Sequence, residues 1–344
     1  MDTFLSKKIK ILSFVTMIMV LYIHSFNFTL YPLNILPNSS YSFQIQIFFS
    51  FYICRIAVPF FFILSGYLFL KGINLNAQIY VEKLKNRINS LLIPYIVWVF
   101  LWTFFFVIIS QLSFLKNYIN APFSIFNFSI YIVFDIFKSP ICYQFWFIKD
   151  LFFLVLIIPF LNFILKKVPI LFLLLLFVNL VYFKKDLLFF QLQSVFYFSI
   201  GLYLALNTKK FTFNTFSINY KWIGILWVLC YFFIPNPIIN YTVPFTVFMG
   251  IIFIWKLYDV INQENLLFKY FYHYSNYSFF LFAFHEPLQV SFKKIGFAIL
   301  GKNEFVGLIL YFIIPIIVFF ISVNIGKILK KMNPKVYGIL TGGR

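Results

Sequence analysis

Few side chains in this sequence can do chemistry, and they stand in apolar surroundings. Residues 11 to 54 carry no Lys, Arg, Asp or Glu, and within them His24 lies near the end of the first apolar stretch. Arg55 closes that charge-free run and interrupts a second apolar stretch. His285 and Glu286 are neighbours about ten residues into a late apolar stretch, and Lys149 with Asp150 enters a middle one. A neutral imidazole takes up a proton near pH 7, and a guanidinium holds anionic groups through a rigid fork of donors. Ionisable groups within apolar spans are costly and tend to mark functional pockets. Gathered in one bundle, they would line a polar chamber hidden from lipid, with Arg55 paired to Glu286 or Asp150. Plainer readings stand beside this one. His24 suits a helix end bonded to a carbonyl, Arg55 and Glu286 a structural ion pair, Lys149 and Asp150 the water–lipid interface, and His273 a solvated or capping position. The three histidines, nine acids and three cysteines (Cys54, Cys142, Cys230) are too dispersed for a metal site or a disulfide framework.

The elements that must position these groups follow from composition. Of 344 residues, 62% are hydrophobic and 11% charged, and the mean hydropathy is +0.93. So few charges cannot cover a water-facing surface, whose proteins average about 25% charged residues. The sequence therefore predicts an all-α, polytopic membrane helix bundle forming a single domain over residues 1–344. About ten spans are expected, near 9–28, 45–70, 91–111, 143–165, 168–183, 187–206, 221–235, 241–258, 275–293 and 305–328. Lys7, Lys8 and Lys10 precede the first span without a cleavage site after it, so that span is expected to persist. The net charge of +19 reads as topology signals between spans, not as a nucleic-acid surface. Most Lys and Arg fall in the loops on the side of both termini, which places both termini in the cytoplasm. Arg55, about ten residues from the outer end of its span, is then ~15 Å deep. The longest outer segment, 112–142, is expected to hold an interfacial helix.

Around these charges stand five motifs in order. They are His24-Ser25; Arg55-Ile-Ala-Val-Pro-Phe-Phe-Phe-Ile-Leu-Ser-Gly-Tyr67; Arg87-Ile-Asn-Ser-Leu-Leu-Ile-Pro-Tyr95; Trp146-Phe147; and His285-Glu-Pro287. Together they resemble the acyltransferase family 3 of integral membrane proteins over residues 9 to 328. One departure is that many members carry an arginine ahead of the first-span histidine, where residues 11–23 here have none and Lys10 is the nearest base.

The resemblance implies transfer of an acyl group, usually acetyl, from acyl-CoA to a hydroxyl of a surface polysaccharide or its lipid-linked precursor, in a bacterial plasma membrane. Acyl-CoA is then a co-substrate, with no bound cofactor. His24 would be the general base, and Arg55 would stabilise the oxyanion or bind a donor phosphate. Ser65, Tyr143, Trp146, His285 and Glu286 would line the substrate pocket. Lys83, Lys85 and Arg87 would attract the donor's phosphates from the cytoplasm, although the positive-inside bias predicts the same residues. Ser65-Gly66 also suits close helix approach, and Trp146 and Tyr143 suit packing. Some relatives carry a soluble esterase-like domain after the last span; here the expectation is acyl hand-over without such a relay. The rival classes are a transporter or flippase for a lipid-linked sugar and a non-catalytic partner of a polysaccharide synthase.

Overall fold

The computed structural model describes residues 3–27, 30, 40–111, 142–183, 190–207, 219–233, 244–261 and 265–343, and among these it is helical without a strand. The helices are α1 (Thr3–Ser25), α2 (Tyr41–Leu70), α3 (Ala77–Ile108), α4 (Tyr143–Leu156), α5 (Ile158–Lys167), α6 (Pro169–Tyr182), α7 (Leu192–Leu206), α8 (Tyr220–Phe233), α9 (Pro244–Val260), α10 (Leu266–Tyr274), α11 (Ser278–Leu300), α12 (Glu304–Met332) and α13 (Pro334–Thr341). By length and apolarity, α2, α3 and α12 can each cross a membrane. They cover most of the expected spans 45–70, 91–111 and 305–328. Nearly all of the expected outer segment 112–142 lies outside the described residues.

The stretch 143–165, expected as one span, is two helices. α4 and α5 meet at Ile157 with a bend of 65°. The cause is Pro159, at the start of α5, whose missing N–H leaves the last turn of α4 without a donor. The Tyr80 hydroxyl lies 2.9 Å from Leu156 O and 3.5 Å from Val155 O, and supplies a donor there.

α2 is continuous but not regular. Phe48–Ile53 forms a π turn and Cys54–Ile56 a 3₁₀ turn before the α-helix resumes at Ala57. Pro59 removes the N–H that would have met Arg55 O, which fits a helix that changes its winding there. Beyond this point α2 packs on α7 through Gly66 and Gly201. A Cβ on Gly66 would run into the carbonyl of Phe198, and one on Gly201 into that of Ile63. The two backbones touch because neither residue has a side chain.

Two charges lie deeper than expected. Lys8, read as a topology signal at the membrane surface, is 1% exposed. Its Nζ donates to both carboxylate oxygens of Asp259 on α9, at 2.6 and 2.7 Å, and stands 4.2 Å from the Trp255 ring. Asp150, read as interfacial, is also 1% exposed. Its Oδ2 accepts from Gln191 N at 2.9 Å and from Ser194 Oγ at 2.7 Å. It therefore caps the first turn of α7 from a neighbouring helix, where open backbone N–H groups favour a carboxylate.

α13 is folded back against the bundle. Trp98 Nε1 donates to Leu340 O at 2.9 Å and the Tyr337 hydroxyl to Asn276 O at 3.3 Å. Gly342, at φ +66°, lies on the backbone of Ser90.

The α2–α7 seam generates a stability prediction. Gly201→Ala should destabilise the detergent-solubilised protein by ~1–3 kcal/mol through overpacking, lowering its thermal midpoint. Gly338→Ala, where a Cβ meets nothing within 4 Å, should leave it unchanged or slightly raised. Equal midpoints for the two variants would contradict the contact.

Candidate active site

The C-terminal end of α1 is tied down by α11 and α12, and this fixes His24. Lys293 of α11 donates from Nζ to His24 O at 2.8 Å and to Phe26 O at 3.3 Å. A cation thus sits on the terminal carbonyls of a helix, where the backbone dipole favours it. Gln289 Nε2 donates to Leu21 O at 3.0 Å, one turn below. From α12, Gly307 O accepts the Asn27 amide at 2.7 Å. Ser25 Oγ donates to Tyr311 O at 2.8 Å. That carbonyl needs a side-chain donor because Pro315, inside α12, has no N–H to give it.

With its backbone held, the half-buried His24 imidazole meets two rings. His285 lies edge-on, with centroids 5.1 Å apart and planes at 73°, and Tyr143 lies 6.1 Å away. His285 is fully buried, and its Nδ1 is 2.7 Å from Phe282 O. A carbonyl only accepts, so Nδ1 carries the proton and Nε2 bears the lone pair. Nε2 is buried without a partner.

Pro287, inside α11, leaves Ala283 O without its helical donor. Trp102 Nε1 fills that place at 3.0 Å, and Gln144 Nε2 approaches the same oxygen at 3.5 Å. Gln144, at the start of α4, is 2% exposed, and its Oε1 has no partner.

A cavity of about 540 Å³ opens inside these groups, between α1, α2, α4 and the α10–α11 corner. His24 and Gln144 line one end. Lys10, Arg87, Ser275 and Asn276 line the other, and apolar side chains such as Met17, Val20, Phe147 and Phe282 line the middle. From Lys10 to His24 along α1 is ~21 Å.

Of the residues expected to form the site, His24, Ser65, Trp146 and Arg87 are in this lining. Arg55, Tyr143, His285, Glu286, Lys83 and Lys85 lie outside it. Tyr143 and His285 still belong to the His24 end through their ring contacts. Glu286 shares its face of α11 with Lys293, seven residues on, and the two interact electrostatically. Lys83 is turned to Phe69 O, capping the end of α2, and Lys85 is exposed.

His24 and Arg55 were expected to meet in one chamber; His24 lines the cavity and Arg55 does not. Ser50 Oγ donates to Tyr22 O at 2.7 Å, which sets the register of α2 against α1. Arg55 is therefore ~10 Å below His24 along the bundle, within electrostatic reach of Tyr197 on α7. Asp150 bonds to the first turn of α7, and Glu286 interacts with Lys293.

Gln144 and Lys293 were not singled out in the sequence. The one signal for Gln144 was an amide within the aromatic run Tyr143-Gln-Phe-Trp-Phe147.

Apolar helices thus enclose a cavity lined by His24 at one end and by Lys10 and Arg87 at the other. Residues 7–324 match the family model of an acyltransferase domain. The chain belongs to that family, the acyltransferase family 3 of integral membrane proteins, and the family implies acyltransferase activity. No curated protein and no solved structure matches it.

The bond that anchors α1 can be tested through the proline that makes it necessary. Ser25→Ala should cost ~1–3 kcal/mol, because it strands the buried Tyr311 carbonyl. In a Pro315→Ala background a backbone N–H returns to that carbonyl, so the same substitution should cost at least ~1 kcal/mol less. Thermal unfolding of the four proteins of this cycle measures the coupling; strict additivity would refute the pairing.

Proposed function

We propose that this chain is a membrane O-acyltransferase that moves an acyl group, acetyl in the simplest case, from acyl-CoA to a hydroxyl of a surface polysaccharide or its lipid-linked precursor. It works in a bacterial plasma membrane as a single multi-pass domain of about ten spans, with both termini in the cytoplasm. The observation that carries the reading is the His24 imidazole lining a cavity whose other end, ~21 Å away along α1, is lined by Lys10 and Arg87.

The chemistry suits that layout. A hydroxyl attacks a thioester only as its proton leaves, and an imidazole at the point of attack receives it. The cavity is narrow and apolar in the middle, which fits the uncharged acyl arm of a thioester donor. Its basic mouth fits the donor's phosphates. Arg87 supplies the charge that faces the cavity. Lys85 adds to the field from the surface, and Lys83 does so from the end of α2. Ser65 lies along the donor's path. Trp146 is a wall of the cavity, and the exposed Tyr143, with Glu286 near it, forms the side open to the acceptor. For Arg55 we propose a charge on the α2–α7 seam, outside the chemistry.

Two assays follow with labelled acetyl-CoA and membranes bearing the protein. His24→Ala should lose acyl transfer by ~10²–10⁴-fold, the usual worth of a general base; undiminished labelling of the glycan would remove His24 from the mechanism. Arg55→Lys, which keeps the charge, should retain most activity. A loss as deep as that of His24→Ala would return Arg55 to the reacting centre.

A further inference from the structure

We infer that Gln144 is the oxyanion donor of this active site, its side-chain amide binding the carbonyl oxygen of the acyl donor as that oxygen becomes negative. The inference rests on the reading of the cavity as an acyl-transfer site and adds a catalytic residue that the sequence motifs do not contain.

Position is the first argument. Tyr143, the residue before Gln144, touches the His24 ring. The Gln144 amide reaches Ala283, two residues before His285, whose ring also touches His24. Gln144 and His24 are therefore at the same depth, and both line the cavity. A carbonyl attacked by a hydroxyl beside His24 has Gln144 on its rim.

Availability is the second. Gln144 is buried, yet its Oε1 has no partner and its Nε2 stands 3.5 Å from Ala283 O. That oxygen already holds Trp102 at 3.0 Å. A buried amide left this loosely engaged is costly as a packing element, and in a water-poor pocket its N–H is well placed for a charge that develops only during reaction. Trp102 keeps Ala283 O satisfied when Gln144 turns toward the substrate.

The step balances as follows. The acceptor oxygen bonds to the thioester carbon while its proton passes to His24, and the carbonyl π pair moves onto oxygen, where the Gln144 N–H receives it. The pair then returns, the C–S bond breaks, and the coenzyme A thiolate leaves with the proton held by His24. The products are the acyl ester and free coenzyme A.

The test is steady-state kinetics with labelled acetyl-CoA on wild type, Gln144→Met, Gln144→Glu and Gln144→Asn, alongside their thermal midpoints. Methionine keeps the shape without donors, glutamate places a like charge against the oxyanion, and asparagine withdraws the amide by one methylene. Gln144→Met and Gln144→Glu should lose ~10²–10³-fold in kcat with KM for acetyl-CoA nearly unchanged, as for other oxyanion donors. Near-wild-type kcat in Gln144→Met, or a change confined to KM, overturns the inference while leaving the acyltransferase reading intact. If Gln144→Met yields no folded protein, Gln144→Asn decides: a kcat loss of ~10-fold or more supports the donor role, and a smaller one overturns it. A folded wild type that transfers no acetyl from acetyl-CoA fails the reading of function itself.

Discussion

The structure depends on what happens when a proline interrupts a buried helix. Its missing N–H strands a carbonyl four residues earlier, and inside a bilayer no water is at hand to repair the loss. Pro287 strands Ala283 O, and Pro315 strands Tyr311 O. Each becomes a fixed acceptor with a lone pair pointing away from its own helix. Trp102 and Gln144 meet the first, and Ser25 meets the second. These bonds carry no helix of their own forward. They join α3, α4 and α1 to α11 and α12 at the depth where His24 stands.

Charge is handled by the same economy of helix ends. Lys293 lies on the terminal carbonyls of α1, and Asp150 lies on the opening amides of α7. Each buried charge answers backbone groups that would otherwise be open. Lys8 differs, because it finds a carboxylate and an aromatic face at once. Replacing such pairs by apolar residues is often harmless to stability, whereas removing one partner is not. Their firm role here is placement: Lys8 sets one end of α1 against α9, and Lys293 sets the other against α11.

Much of this was legible in the sequence, and what was not has physical causes. Apolar run lengths gave the helical class and the course of α2, α3 and α12. The five motifs gave the family. His24, Ser65, Trp146 and Arg87 were each chosen from the sequence, and each lines the cavity. Arg55 stands within a span-length helix, as expected, and is not among the residues that line the cavity. The π turn at Phe48–Ile53 and the 3₁₀ turn after it change the winding just before the regular helix resumes. Such turns change the winding of a helix without leaving a mark in its apolar run length. Lys8 and Lys293 were counted as surface signals because hydropathy does not distinguish a lysine at an interface from one that caps a neighbour. Asp150 was lost to the same ambiguity. Gln144 is a single neutral amide among aromatics, and only its neighbours in space place it at the cavity beside Ala283 O.

The late His-x-Pro motif shows how a pattern of residue types can encode an arrangement across helices. His285 and Pro287 occupy one turn of α11, but they act on different carbonyls. The histidine bonds back to Phe282 O, which fixes its tautomer and presents a bare Nε2 beside the His24 ring. The proline frees Ala283 O, the very next carbonyl, for side chains arriving from α3 and α4. Consecutive carbonyls on a helix point ~100° apart, so one turn serves two directions. Placed elsewhere in α11, either residue would still suit an apolar helix. Placed together at this depth, they bring an imidazole from α1 and an amide from α4 to the same wall of the cavity. The motif is therefore read most directly as a joint between helices, which sets His24 and Gln144 on one wall of the cavity.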